Sequence, residues 1–345
     1  MSEFRRYKVW HIIYLLLIIL GILKYAAWRP DFYFPVDAHS LNSLRVDIST
    51  AFLLPYLFDQ GVQFGKDVIF AYGPLGFIKY ARYHPETYHW TLIGQIFLSI
   101  TFVTACWGLV QKRLGLPYTI PMGFFSAFLI FLLQMDAFLQ TFIILLVVHY
   151  YFLKTDKPAI AYYLLIVSSS IIAMIKVSML FLTIAVVLII SVSDIFYRRK
   201  VPLTMFIFLS SFLFFWTMAG QDMSNIANYF ISARQLVSGY TDAMSFGAPV
   251  GANLHEIILY IITSLLLTAL LFLILKPHKR LFNLLPLCLL SLFLFGIFKH
   301  SFVRHDGHAL EAGYMFIFFL YIIASLKHTY VKERLAHLFF YSYAV

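Results

Sequence analysis

The sequence predicts an all-α, polytopic integral membrane protein with about ten transmembrane helices, and three observations carry that expectation. Of its 345 residues, 61% are apolar, 19% aromatic and only 12% charged, too few charges for a soluble domain. The apolar residues gather into segments long enough to cross a bilayer, which takes roughly 20 residues for about 30 Å of hydrocarbon. The charges are also sorted by side. Lysine and arginine near span ends favour the cytoplasm. With residues 1–8, 112–113, 154–157, 194–200, 276–280 and 327–334 inside, that face holds 16 of the 26 Lys and Arg but only 4 of the 16 Asp and Glu. The formal charge of +10 is then a positive-inside bias, and no nucleic-acid partner is implied.

Taken in order, the spans are expected at about 9–28, 90–111, 118–135, 137–153, 159–175, 177–196, 202–219, 255–275, 281–298 and 309–326. The first follows basic residues, as in a signal peptide. Its apolar part is too long for one, and Lys24-Tyr-Ala-Ala-Trp-Arg29 is a poor cleavage site. The runs 118–153 and 159–196 are nearly continuous, so their dividing points are the least marked. Residues 1–345 read as one membrane-embedded domain, with no repeat and no appended soluble domain. Both termini are expected in the cytoplasm of a cell (inner) membrane, with outer loops at 29–89, 220–254 and 299–308. The two cysteines, Cys106 and Cys288, fall in spans, which leaves no disulfide framework and no cysteine-based metal site.

The first outer loop, 29–89, is too long for a simple connector. Residues 41–59 read as an amphipathic helix at the membrane surface, with Asp47 sharing a stripe with Ser43 and Thr50. In 61–78, two glycines, Lys66-Asp67 and Tyr72-Gly-Pro mark turns.

Asp47, Gly61, Asp67 and Gly73-Pro74-Leu75 together resemble the pattern of the GT-C membrane glycosyltransferases. These take sugars from polyprenyl-phosphate carriers at the outer or lumenal face. Their first span is typically followed by a long outer loop with an acidic residue at the start of a surface helix. The likeness covers mainly residues 30–80. Many members have an acidic pair at that helix start, whereas Asp47 is followed by Ile48, and Asp37 competes for the role because Asp37-Ala-His39 also precedes the helix. The resemblance implies a carboxylate base at Asp47 or Asp37, and a pocket wall shaped by Asp67 and Tyr72. It also implies a polyprenyl-phosphate-linked sugar as donor and a glycan, lipid or protein as acceptor. The chemistry agrees. Glycosyl transfer to a hydroxyl needs a group that takes the acceptor proton, and partial desolvation suits a carboxylate to that work. The plainer reading of Asp47 is a capping or solvated position on a surface helix.

The remaining unusual residues fall on the same face. Lys176 interrupts the run 159–196, and a charge there either serves a function or snorkels to the interface. The resemblance implies contact with the carrier phosphate. The run 299–308 offers Lys299, Arg304, His305, Asp306 and His308, in which Arg304 suits bidentate phosphate contacts, Lys299 adds a point charge and His305 lies beside them. His305, Asp306 and His308 also admit a metal reading, although their spacing matches no strong zinc signature. A divalent cation is the only cofactor left open. In 220–256, Arg234, Tyr240 and Asp242 either border the site or belong to an ordinary interfacial loop.

No phosphate-binding loop, dinucleotide fingerprint or Gly-x-Ser-x-Gly elbow is present. Energy for transfer would arrive with the lipid-linked donor. The expected function is sugar transfer from a polyprenyl-phosphate carrier to an outer-face acceptor. The rivals are a secondary transporter and a non-catalytic membrane subunit of an envelope-polysaccharide assembly. Against the transporter, the sequence shows no paired broken spans in two matching halves.

Overall fold

Apolar segments in a membrane must satisfy their backbone internally, and helices do so residue by residue. The computed structural model describes residues 16, 46–80, 83–113, 125–126, 133, 135–153, 160–244, 254–275, 284–302 and 308–330. Among them there is no strand, only two isolated bridges, Phe64 to Val68 and Tyr72 to Lys176. The helices are α1 (Val46–Asp59), α2 (Phe77–Tyr80), α3 (Tyr88–Arg113), α4 (Met135–Val148), α5 (Ile160–Ile175), α6 (Val177–Phe196), α7 (Leu203–Met218), α8 (Ile226–Met244), α9 (Leu254–Leu275), α10 (Leu284–Phe302) and α11 (His308–Tyr330).

Four helical stretches, 88–109, 135–153, 177–196 and 254–273, are long and apolar enough to cross a membrane. A fifth is formed if α7 and the helix that follows it, bent by 120°, count as one broken span. Shorter apolar helices cover 160–175, 284–299 and 311–323. At 1.5 Å per residue the 16 residues of α5 reach about 24 Å, short of a full crossing. Helices therefore cover eight of the ten expected spans, while 9–28 and most of 118–135 lie outside the described residues. An all-α membrane protein is what these helices support, and the count of ten rests on the sequence. The outward faces agree. Of the α9 window only 17% is buried, with Leu259, Leu265, Leu266 and Leu273 exposed. So large an apolar face marks a membrane or protein contact.

The chain divides into two compact units. The first comprises 1–103, 163–195 and 199–240. Here α1 packs its Leu54 and Phe58 against the turn entering α2. The Phe58 and Phe77 rings meet edge to face at 4.9 Å, and Leu54 lies against Gly76. The sequence suggested an amphipathic surface helix over 41–59. The described part, α1, is apolar on both sides, with Ala51 and Leu54 buried and Phe52, Leu53 and Tyr56 exposed. The helix therefore shows no polar face opposite its packed one. The expected amphipathic stretch at 224–236 falls on a short 3₁₀ turn (Met223–Asn225) and α8. Tyr229, Ser232 and Ala233 face inward there, while Ile231, Arg234 and Gln235 face out.

The second unit comprises 104–162, 196–198 and 241–345. Its central element is α4, buried along its length, which continues into a π-turn at His149–Leu153. The His149 ring pairs with the Ala105 carbonyl (2.9 Å), and Gly108 leaves the ring room. Arg198 lies over the Tyr150 ring at 4.4 Å and donates to the Tyr150 carbonyl. Among α9, α10 and α11, the Tyr260 hydroxyl donates to the Leu294 carbonyl (2.6 Å) within a cage of Phe298, Phe302 and Phe316.

Candidate functional site: a broken helix stitched by the loop between α1 and α2

The run from Ile160 to Phe196 would make one long helix but for Lys176, which lies between α5 and α6 in bridge geometry. A break strands backbone groups that the membrane cannot solvate. The loop between α1 and α2 supplies their partners. The Gly73 N–H donates to the Ile175 carbonyl (3.2 Å), the Leu75 N–H to Met174 (3.1 Å), and Val177 in turn donates to the Ala71 carbonyl (3.0 Å). On the far side of the break, the Lys176 carbonyl accepts from Met179 and Leu180, opening α6 in the ordinary way.

Glycine is required at 73. A β-carbon there would strike the Met174 carbonyl oxygen and lie 2.6 Å from the buried Tyr229 hydroxyl. The loop also rides on α8 at Gly65 (φ +87°), where a β-carbon would fall on the Tyr229 backbone nitrogen and 2.9 Å from the Asn228 carbonyl carbon.

Two glutamines fasten this loop to the elbow between α7 and α8. Gln221 accepts from the Phe64 N–H (2.8 Å) and donates to the Val62 carbonyl (3.0 Å). Gln63 donates to the Gly220 carbonyl (2.9 Å) and accepts from Asp222 N–H (2.7 Å) and Asn225 (3.1 Å). The elbow is itself closed by Gly220 at φ +69° and by the Trp216 indole donating to the Asp222 carbonyl. Asp222 caps the 3₁₀ turn by accepting from Ser224 N–H (2.9 Å). That bond and the Ser224 side chain hold its carboxyl below the usual range, with Lys66 adding to the effect.

Against this scaffold stands a cluster of two ammonium groups and two phenols. Lys79 Nζ and Tyr80 Oη each donate to Tyr72 Oη at 2.8 Å. Lys79 Nζ is 4.9 Å from the centres of both rings, and Lys176 Nζ lies 5.8 Å from the Tyr72 ring centre. Phe70 borders the same ring. Tyr72 and Lys176 are buried, whereas Lys79 and Tyr80 are partly exposed. Such an arrangement offers positive charge and hydroxyl donors in an apolar frame, which suits a phosphoryl group.

The expected site residues fare differently. Tyr72 and Lys176 are brought together. Asp67 belongs to the same loop but is exposed and closes a turn, its carboxylate accepting from Gln63 N–H (2.9 Å). Arg234 is exposed on α8, and Lys299 is exposed on α10 in the second unit. Asp47 lies in the first turn of α1, Tyr240 and Asp242 near the end of α8 and His308 at the start of α11; their side chains lie outside the description. Asp37, Arg304, His305 and Asp306 fall outside the described residues. Among the described residues, no three His, Cys, Asp or Glu side chains converge as a metal site would require.

Lys79 and Tyr80 escaped the sequence reading, although they follow the Tyr-Gly-Pro turn by a few residues. A turn that doubles back brings positions 72, 79 and 80 together, and only the structure reveals that return. Gln63 and Gln221 lie far apart in sequence, so their pairing left no local mark. The buried carboxylates Asp136 and Glu311 open α4 and α11, where they complement the helix dipole.

Compared with family models, curated proteins and solved structures, the chain matches none.

Proposed function

We propose that the protein is a membrane glycosyltransferase that moves a sugar from a polyprenyl-phosphate carrier to an acceptor on the outer face. The observation that supports this most is the broken helix at Lys176, where a buried ammonium group is held beside the loop that carries the GT-C-like motifs. In this reading Asp47, or Asp37 in its place, takes the proton of the acceptor hydroxyl. The acceptor oxygen bonds to the sugar's anomeric carbon as the bond from that carbon to the carrier phosphate oxygen breaks. The phosphate leaves with the electron pair. Lys176 stabilises the charge that develops on it. The protein would lie in the cell membrane with its termini in the cytoplasm and this site outward.

The test is transfer of radiolabelled sugar from a panel of polyprenyl-phosphate sugars by purified protein in nanodiscs, comparing wild type with Asp47→Asn and Asp37→Asn. Loss of a general base costs about 10²–10⁴ in rate. Transfer that falls this far in one of the two variants identifies the base. Transfer by wild type that neither substitution touches sinks the assignment.

One observation favours a second reading as a secondary transporter. Two interrupted helices, at Lys176 and at the 120° elbow, are features that frame substrate sites in such proteins. Uptake into proteoliposomes that requires a proton gradient, without sugar transfer, would select it.

A further inference from the structure

Hydroxyl side chains on these helices commonly donate to the carbonyl four residues earlier, as Ser169, Ser191, Ser193, Thr263 and Ser325 do. One face of α3 departs from that habit. Thr87, Thr91 and Ser99 are 0, 1 and 0% exposed, and their hydroxyl oxygens have no hydrogen-bond partner among the described residues. Gln95, 3% exposed, completes the series. Its amide nitrogen donates to the Ile78 carbonyl (2.9 Å), while its amide oxygen is likewise without a partner among the described residues. The helical ladder already runs at the first rung, where the Thr91 N–H donates to the Thr87 carbonyl (2.9 Å). Positions four apart share a face, so the four oxygens form one ladder. Other buried orphans stand alone. Ser168 and Thr183 also lack a partner among the described residues, but four residues to either side they meet Leu164 and Ile172, or Met179 and Val187, which are apolar.

Buried polar groups almost always find a partner, and ordered water serves where protein does not. Rungs four residues apart are separated by about 6 Å along a helix. A water bonded to two hydroxyls spans about 5.6 Å, at about 2.8 Å for each O–H···O bond, so one water fits the step from Thr87 to Thr91. The Gln95 oxygen stands between rungs 91 and 99, which are about 12 Å apart, and its two lone pairs accept from a water on either side. We infer that the face of α3 from Thr87 to Ser99 holds a file of bound water, one molecule at each step, over about 18 Å of helix. Each water then has the two or more polar partners that hold it in place. The rungs carry no charge, and hydroxyls with one amide suit a small neutral molecule that both donates and accepts. The protein's own chain encloses every rung, which keeps a second copy or a partner helix from reaching them. His84 precedes the ladder in the turn into α3, where its carbonyl accepts from the Thr87 N–H (3.2 Å). It is partly exposed, and its enclosed Nδ1 has no partner among the described residues, so it gives the file an outlet to solvent. Such a file stands whatever reaction the protein carries out.

The experiment is water-edited solid-state NMR on the full chain in lipid bilayers, isotope-labelled at threonine and glutamine, which follows polarisation passing from water to single side chains. Thr87, Thr91 and Gln95 should receive it. Thr141 is the dry control, since it is equally buried but its hydroxyl donates to the Phe138 carbonyl (2.6 Å). Thr91→Val keeps the shape and removes the shared rung. Transfer to Thr87 and Gln95 should then fall by about half or more, because the waters flanking position 91 each lose one of their partners. Thr91→Ser keeps the hydroxyl and should keep the transfer. If Thr91→Val fails to fold, Ser99→Ala removes the last rung instead, and should lower transfer to Gln95 while leaving Thr87 unchanged.

Water contact at Thr87, Thr91 and Gln95 that falls together in Thr91→Val, and returns in Thr91→Ser, supports the file. Rungs as dry as Thr141 overturn it. Water at Thr91 with Thr87 and Gln95 untouched by Thr91→Val means separate sites, and overturns the file as a connected unit. Serine behaving like valine overturns it as well, since the hydroxyl would then have no part in holding water. Close through-space contacts from the Thr91 side chain to another polar side chain, in place of transfer from water, overturn it in favour of a pairing within the protein.

Discussion

Gly73→Ala tests whether the loop between α1 and α2 holds the helix break in place. The added β-carbon would sit 2.6 Å from the Tyr229 hydroxyl and still closer to the Met174 carbonyl oxygen, where ordinary contact begins at 3.4 Å. Met174 is backbone and the Tyr229 ring is buried, so neither gives way cheaply. The loop must back off by about 1 Å, which stretches the Gly73–Ile175 and Leu75–Met174 bonds, now 3.2 and 3.1 Å, beyond hydrogen-bonding distance. Two buried carbonyls then lose a partner, at about 1–3 kcal/mol each, for a total of roughly 2–6 kcal/mol. Gly61→Ala is the control. Its φ of +62° imposes backbone strain, but nothing lies within 4 Å of the new carbon, so the cost should stop at about 1–2 kcal/mol. Thermal unfolding in nanodiscs ranks the two variants, and hydrogen exchange at residues 71–77 and 172–180 shows where protection is lost. Equal destabilisation of both, with amide protection at 73 and 75 unchanged, would refute the stitching.

Gln221→Ala removes the partners of the Phe64 N–H and the Val62 carbonyl. It should cost about 2–4 kcal/mol and open the 61–68 loop to limited proteolysis, with the helices intact by circular dichroism. Asp222 gives a pH dependence of known sign. Its folded-state carboxyl is held below its ordinary value of 3.8, so its contribution is complete above that value and is lost as pH falls through the lower folded one. Asp222→Ala should flatten the acid limb of an unfolding profile below about pH 4 without moving its neutral plateau.

The sequence made the helical class legible because spans are long and the bilayer leaves few alternatives. It also marked Lys176, since a lysine between two apolar runs either serves a function or snorkels to the interface. The loop was harder. Gly73 and Gly65 were visible as turn residues, but their reason lies in the backbones of Met174 and Tyr229, about 100 and 160 residues on. The elbow at 219–222 was visible only as a polar patch. Its 120° bend depends on a positive φ at Gly220 and on side chains reaching from 63 and 221. Hydropathy cannot record such bonds. The same blindness explains α1, whose packed side (Ala51, Leu54) and exposed side (Phe52, Leu53, Tyr56) are both apolar and are told apart only by the structure.

Lys176→Leu separates function from architecture. The break is stitched by backbone groups of 71, 73, 75, 174, 175 and 177, none of which requires the Lys176 side chain. The interruption should therefore persist in the variant. Burying an ammonium group within a membrane is unfavourable, by up to about 3 kcal/mol at a span centre and by less toward a span end. Leucine removes that penalty and keeps the apolar stem. A lysine retained for the fold would leave the variant less stable. One retained for a ligand would leave it as stable as wild type or more so, because functional sites carry strain that selection on activity maintains. The measurement pairs the unfolding midpoint with the binding of polyprenyl monophosphate. Unchanged or raised stability with binding lost assigns Lys176 to the ligand. A fall in stability with hydrogen exchange spreading through 172–180 would make it part of the stitch and remove the phosphate role.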